Sequence, residues 1–211
     1  MQDAYYSRTE VSNSDLSLLK QQLSAQISAD PTQAFRFGSL LDALITEPDK
    51  LELQHQDPQE EPFTEEDIDR AHQMRRAFMR DELCRKMYLS SSFQKVMISQ
   101  GKVFDYGPGF TLDVRCKWDL WMETLAWGAD IKSTTATTEK QFREAVSYFD
   151  YDRQRYYYMN IAGSKKDLLI GISKVNYQVF KIPISWGDDL WVSGRDKTNE
   201  LAFKYWLMFG A

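Results

Sequence analysis

From Leu112 to Asp119 apolar and charged side chains alternate without interruption: Leu112, Val114, Cys116 and Trp118 take turns with Asp113, Arg115, Lys117 and Asp119. A period of two fits an extended strand with one face on a core, because like residues on a helix face recur every three or four positions. Asp119 is thereby expected on the polar side. Its surroundings read as a meander of Phe104 to Tyr106, the turn Gly107-Pro108-Gly109, Phe110 to Leu120, and Thr124 to Ile131.

Before this region the pattern is helical. Val11-Ser12-Asn13-Ser14-Asp15 leads into Leu16, Leu18, Leu19 and Leu23, which predicts a capped helix ending near Ser28, closed by Asp30-Pro31. A second helix is expected from Ala34 through Thr46, with Phe37, Leu40, Leu41, Leu44 and Ile45 on its apolar face and Pro48 at its end. Asp42 then lies within a buried helix. Gln54 to Pro62 has the composition of a solvated, mobile loop. Thr64-Glu65-Glu66-Asp67 resembles a capping box opening a long helix, Glu65 to about Lys86, that carries Arg70, Arg75, Arg76, Arg80, Arg85 and Lys86. This basic element reads either as a solvated face, balanced by Asp69, Asp81 and Glu82, or as a phosphate-tracking surface.

After the meander, Thr138 to Met159 reads as helix, Leu168 to Lys174 and Gln178 to Ile182 as strands, and Lys197 to Met208 as a closing helix. The expected fold class is therefore α/β in the α+β sense: a mixed central sheet flanked by helices, with a mainly helical portion over residues 1–100 and the remainder over 101–211, all in one domain.

Composition narrows the function classes. A chain of 211 residues with 43% hydrophobic side chains can bury a full core. No segment approaches the ~20 consecutive apolar residues of a membrane span, and the N-terminus lacks a signal-peptide pattern, so a soluble, cytoplasmic protein without membrane contact is expected. The two cysteines, Cys84 and Cys116, have no CxxC spacing and are expected to be reduced core residues, too few for a zinc or iron–sulfur cage. A formal charge of −5 argues that any DNA contact is local.

The chemistry concentrates between Asp119 and Tyr158. Hydrolysis of a phosphodiester calls for a hard cation held by oxygen ligands, which neutralises developing charge and acidifies water. Asp119 and Asp130 are the natural ligands, on neighbouring strands. Lys132 follows Asp130 on the same strand face and sets an ammonium beside the metal. An Asp-x-Lys triplet is short enough to arise by chance, and a surface ion pair is its plain alternative. Further along, Tyr148, Tyr151, Gln154 and Tyr158 recur at helical spacing; the aromatic residues suit a core stripe, but a Gln within it needs a polar partner.

Taken together, Asp119, Asp130-Ile131-Lys132-Ser133-Thr134 and Gln154-Arg155-Tyr156-Tyr157-Tyr158 resemble the PD-(D/E)xK nuclease superfamily, in the RecB-like branch marked by a trailing QxxxY motif. The chain is most similar to the exonuclease VIII (RecE-like) nuclease domain of phage recombination systems. That family carries a helix of the form G-x-x-x-H-x-x-x-x-E-P, which here runs from Gly38 to Pro48 with Asp42 in the place of the usual metal-binding His. Trp118 stands where Pro is common, a change expected to lie outside the chemistry. Gln94 is the nearest candidate for a further acid that this family often carries, and it supplies no charge.

The resemblance implies a restriction-endonuclease-like core and a Mg²⁺-dependent exonuclease, with Mn²⁺ as a possible substitute, acting on double-stranded DNA ends and serving a single-strand annealing protein in a bacterial or phage setting. Asp42, Asp119, Asp130 and the Ile131 carbonyl would hold metal. Lys132 would serve the water and the transition state, and Gln154 and Tyr158 would position phosphate or the 5′ end. It also implies a homo-oligomeric ring that threads DNA. The rival readings are an endonuclease or repair nuclease of the same superfamily, and a degenerate nuclease fold used as a DNA-binding module.

Overall fold

The computed structural model describes residues 5, 7–24, 32–48 and 63–210. The end expected for the first helix and the acidic segment from Gln54 to Pro62 lie outside the described residues. Helix α1 (Asn13–Ser24) is opened by Ser12, whose hydroxyl accepts from the Asp15 amide at 3.3 Å while the Asp15 carboxylate accepts from the Ser12 amide at 2.7 Å. Helix α2 (Thr32–Thr46) buries Phe37, Leu40, Leu41, Leu44 and Ile45, the apolar face expected from its periodicity.

The single basic helix expected over 65–86 is two helices. Helix α3 (Glu65–Arg80) ends at Asp81, and helix α4 (Glu82–Ser90) begins there. Asp81 adopts an extended backbone, accepts from the Cys84 amide at 3.1 Å and pairs with Lys181, so one side chain caps the second helix and ties it to the sheet. Nothing in the helical periodicity marks that break. On α3, Arg70 pairs with Glu66 and Asp67, and on α4 Lys86 pairs with Glu82, which accords with the solvated-face reading for those two cations.

The sheet is mixed and five-stranded, in the order β1 (Ser92–Phe104), β2 (Phe110–Met122), β3 (Trp127–Thr134), β4 (Lys166–Ser173), β5 (Val179–Ser185). Neighbours are antiparallel except β3 and β4, which are parallel and joined through helices α5 (Glu139–Tyr148) and α6 (Tyr151–Ala162). Strand β1 starts well before the expected Phe104, so the boundary placed near residue 100 falls inside it. It is an edge strand whose residues are mostly exposed or half-buried, and its polar run Gln94-Lys95 therefore carried no period-two signal. The helix expected over 138–159 is interrupted at Asp150, which takes a left-handed φ of +54°. The last helix, α7 (Asp189–Phe209), begins earlier than Lys197 because Asp188 caps it, accepting from the Trp191 amide at 2.8 Å.

Both sheet faces are covered. Helices α2, α3 and α4 pack against Leu120, Met122, Ala129, Ile131, Leu168, Ile170 and Ile172. On the other face α6 and α7 meet Leu112, Val114, Cys116, Trp118 and Trp121. Along β2 the alternation slips at Asp119, since Trp118 and Trp121 share one core while Leu120 joins the other. Asp119 is accordingly half-buried rather than on a solvated polar side. Cys84 and Cys116 are free and buried, and burial pushes both thiols up to about 12. Among the described residues no helix is long and apolar enough to cross a membrane.

Candidate active site

Strands β2 and β3 pair only through Leu120↔Ala129, Trp121↔Gly128 and Met122↔Trp127, next to their turn, and diverge beyond Leu120. The backbone groups exposed by this divergence need new partners. Val11 supplies two of them on β2: its amide donates to the Asp113 carbonyl and its carbonyl accepts from the Arg115 amide, both at 2.8 Å. On β3 the Ile131 amide donates to Asp119 Oδ2 at 2.7 Å. The carboxylate thus takes the place of a missing ladder bond, which locks Asp119 beside the Asp130-Ile131-Lys132 segment.

Asp130 is buried and contacted by two cations. Lys132 Nζ lies 2.6 Å from its Oδ2 and Arg155 Nη1 lies 3.1 Å from its Oδ1. Arg155 is fully buried on α6, with its guanidinium 4.3 Å from the Tyr158 ring centre and 5.0 Å from that of Trp118. Its Nε lies 3.4 Å from Asp167 Oδ2, on β4. Trp118, expected to lie outside the chemistry, therefore forms one wall of the pocket that holds the arginine on Asp130.

Asp42 reaches the same region from α2. Gln94 Nε2 donates to both Asp42 oxygens, at 3.1 and 3.0 Å, and to Thr46 Oγ1 at 2.9 Å. The pairs Phe93↔Leu120 and Lys95↔Trp118 place Gln94 opposite Asp119, and there Gln94 has a φ of +52°. For a non-glycine residue that conformation costs on the order of 1 kcal/mol or more. The strained backbone lies where β1 faces Asp119, and the side chain turns to Asp42.

The carboxylates sense one another. Burial pushes Asp42 up to about 6, opposed by the Gln94 hydrogen bonds and reinforced by Asp130. Asp119 is held well above the ordinary carboxylate range, first by burial and then by repulsion from Asp42 and Asp130. Burial works against the Lys132 ammonium, but attraction to Asp130 and Asp119 outweighs it and raises the pKa. Asp167 is pushed up to about 7 by burial, with Arg155 opposing.

Among the described residues no group of three or more His, Cys, Asp and Glu side chains is drawn together tightly enough to hold a metal ion. The donor set nonetheless suits a hard cation, since it consists of carboxylate oxygens whose mutual repulsion a cation would relieve. Asp130 Oδ2 in particular is buried without a hydrogen bond, its contact with Lys132 being an ion pair.

Of the expected site residues, the structure brings Asp119, Asp130, Ile131 and Lys132 into direct contact and ties Tyr158 to them through Arg155. Asp42 joins through its electrostatic effect on Asp119. Gln154 is half-buried on α6, one turn before Tyr158, while Tyr148 sits on α5 and is separated from that face by the break at Asp150. Arg155 and Asp167 were not anticipated. A guanidinium inside a run of aromatic residues was the available signal, because a buried arginine requires an acid partner.

The sequence from residue 12 to 179 matches a family described as a PDDEXK-like domain of unknown function (DUF3799). Among solved structures, a candidate exonuclease from Eubacterium rectale superposes with a TM-score of 0.59 and 18% identity, over 87% of this chain and 70% of that one. A phage-related exonuclease from Haemophilus somnus 129PT gives a TM-score of 0.46 and 11% identity, over 90% and 92% of the respective chains. No protein of curated function matches. The likeness to the first structure is one of fold, a mixed sheet between helices of restriction-endonuclease type. The matched stretch takes in Asp42, Asp119, Asp130, Lys132 and Tyr158, and the chain belongs to the PDDEXK-like domain family.

Proposed function

We propose that this protein is a divalent-metal-dependent deoxyribonuclease that hydrolyses DNA from duplex ends. The observation that carries the reading is the anchoring of Asp119 on the Ile131 amide at the point where β2 and β3 part, beside the Asp130–Lys132 pair. Asp119, Asp130 and the Ile131 carbonyl would hold Mg²⁺ or Mn²⁺, with Asp42 contributing from α2. An ion bound there would neutralise charge developing on the phosphate and lower the pKa of a water.

The residues of the chain divide the remaining work. In the metal-free chain Asp130 and Asp119 hold the pKa of Lys132 up against its burial. Beside the ion, its side chain would orient water or stabilise the transition state. Gln154, half-buried and one turn from Tyr158, would offer its amide to a phosphate. Tyr158 is buried and acts through Arg155, whose guanidinium it holds against Asp130. End-directed digestion, service to an annealing protein in recombination and a DNA-threading ring belong to the same proposal; a ring would gather local contacts for a chain whose net charge is −5.

Purified protein with Mg²⁺ should degrade linear duplex and leave covalently closed circles intact, and Lys132→Ala should lose at least about a hundredfold in rate. Undiminished hydrolysis by that variant would overturn the assignment, and cleavage of closed circles would favour an endonuclease. One observation supports a second reading, a DNA-binding module without catalysis: Gln94 occupies both Asp42 oxygens with an uncharged amide. Calorimetry with Mg²⁺ or Mn²⁺ separates the two, since absence of binding at millimolar metal supports the module.

A further inference from the structure

The junction of α5 and α6 presents a row of aromatic rings that runs from solvent to the lysine of the candidate site. Tyr148 and Phe149 are 80% and 58% exposed. Their ring centres lie 4.8 Å apart at 89°, Phe149 stacks on Tyr151 at 5.6 Å and 27°, and Lys132 Nζ lies 5.2 Å from the Tyr151 ring centre. Single exposed aromatic residues are ordinary on a protein surface; a contiguous row ending at a lysine paired with Asp130 is not.

The chain holds this junction in shape. Asp150, between Phe149 and Tyr151, takes the left-handed φ of +54°, a conformation uncommon for residues with a side chain, though less so for aspartate. Its side chain is tied on two sides. Asp150 is buried, pairs with Lys20 from α1 and lies 3.1 Å from Lys197 Nζ on α7. Lys197 also reaches Asp152 at 2.9 Å, and Arg153 lies in the field of both acids. Lys20, Lys197 and Arg153 thus gather around Asp150 and Asp152 and fasten the junction to α1 and α7.

We infer that Tyr148 and Phe149 form a stacking platform for unpaired bases at the end of the DNA strand that enters the candidate active site, an inference that rests on the nuclease reading above. Bases of any sequence offer a π-face to an aromatic ring, so such a platform grips a strand without reading it. Tyr151 passes the row on to Lys132, where the scissile phosphate would lie. A strand end splayed over these rings is also a strand already unpaired from its complement.

The test is binding in the absence of metal, so that cleavage plays no part. A single-stranded oligonucleotide carrying 2-aminopurine near its end is titrated with the full chain in EDTA. The wild type should quench the fluorophore by stacking, and Tyr148→Ala/Phe149→Ala should lose the quench and weaken binding about tenfold or more. Tyr148→Phe/Phe149→Trp should retain both. Because the two side chains are exposed, the alanine variant should unfold at the wild-type temperature. Equal affinity and equal quench in the alanine variant would overturn the platform, as would a variant whose only change is its oligomeric state in sedimentation, which would make the rings a contact between copies of this chain. The two readings fail separately: Lys132-dependent hydrolysis with an unaffected alanine variant overturns the platform alone, whereas ring-dependent binding without hydrolysis overturns the nuclease alone.

Discussion

Arg155 Nη1 lies 3.1 Å from Asp130 Oδ1 while Lys132 Nζ lies 2.6 Å from Oδ2, so each oxygen of this buried carboxylate faces its own cation. Two residues from one strand face meet one from a helix of the crossover, and the arginine continues to Asp167 on the next strand. The net result is a charge network that spans β3, α6 and β4 beneath the candidate site.

Removing the arginine leaves Asp167 without its cation and Asp130 with Lys132 alone. Arg155→Met should cost about 3–5 kcal/mol in urea unfolding, because Asp167 stays buried without its cation and Asp130 keeps only Lys132. Adding Asp167→Asn should restore part of that loss. A double variant no more stable than Arg155→Met would show that Asp167 gains nothing from the guanidinium.

Gln94→Glu tests the contact with Asp42. The substitution replaces an amide that donates to both Asp42 oxygens with a carboxylate facing a carboxylate. Without metal the variant should lose about 1–3 kcal/mol of stability. Millimolar Mg²⁺ or Mn²⁺ should raise its melting temperature more than that of the wild type. Equal melting temperatures with and without metal would count against a cation at this position.

Asp167 makes stability depend on pH in a predictable sense. Its pKa in the folded chain, about 7, exceeds the ordinary 3.8, so the folded state binds a proton that the unfolded chain releases. Its stabilising share is complete below the unfolded value and disappears as pH rises through the folded one. Across that window one such proton corresponds to about 1.4 kcal/mol per pH unit. Urea unfolding of Asp167→Asn should show a shallower decline between about pH 4.5 and 6.5, by up to one proton's slope. An unchanged slope would mean that Asp167 is ionised in the folded chain throughout.

Gly171 probes the packing of the crossover on the sheet. A Cβ there would lie 2.4 Å from the Phe142 ring, which is fully buried on α5. Gly171→Ala should destabilise by about 1–3 kcal/mol through overpacking, and Phe142→Leu should recover some of it in the double variant. Thermal unfolding of the three proteins reads this directly.

Much of the site was legible because its parts are local. The alternation from Leu112 to Asp119 specifies β2, two-residue spacing puts Lys132 on the face of Asp130, and the spacing of Phe37, Leu40, Leu41, Leu44 and Ile45 specifies α2. What escaped was non-local or contrary to local preference. Strand β1 is a polar edge whose pairing with β2 gives it structure. The breaks at Asp81 and Asp150 interrupt helical patterns that run on unchanged, and both acids are held by lysines distant in sequence: Lys181 for Asp81, Lys20 and Lys197 for Asp150.

The sequence alone thus determined most of the element types, a mixed sheet flanked by helices and the presence of an acid–acid–lysine order, since periodicity and spacing are properties of neighbours along the chain. Tertiary structure decided what those residues touch. The divergence of β2 from β3 set Asp119 on the Ile131 amide, and the parallel pairing of β3 with β4 brought Asp130 and Asp167 to one guanidinium. A left-handed residue within β1, opposite Asp119, delivered the Gln94 side chain to Asp42. Buried charges must find partners wherever the fold places them, and no local pattern encodes which partner that will be.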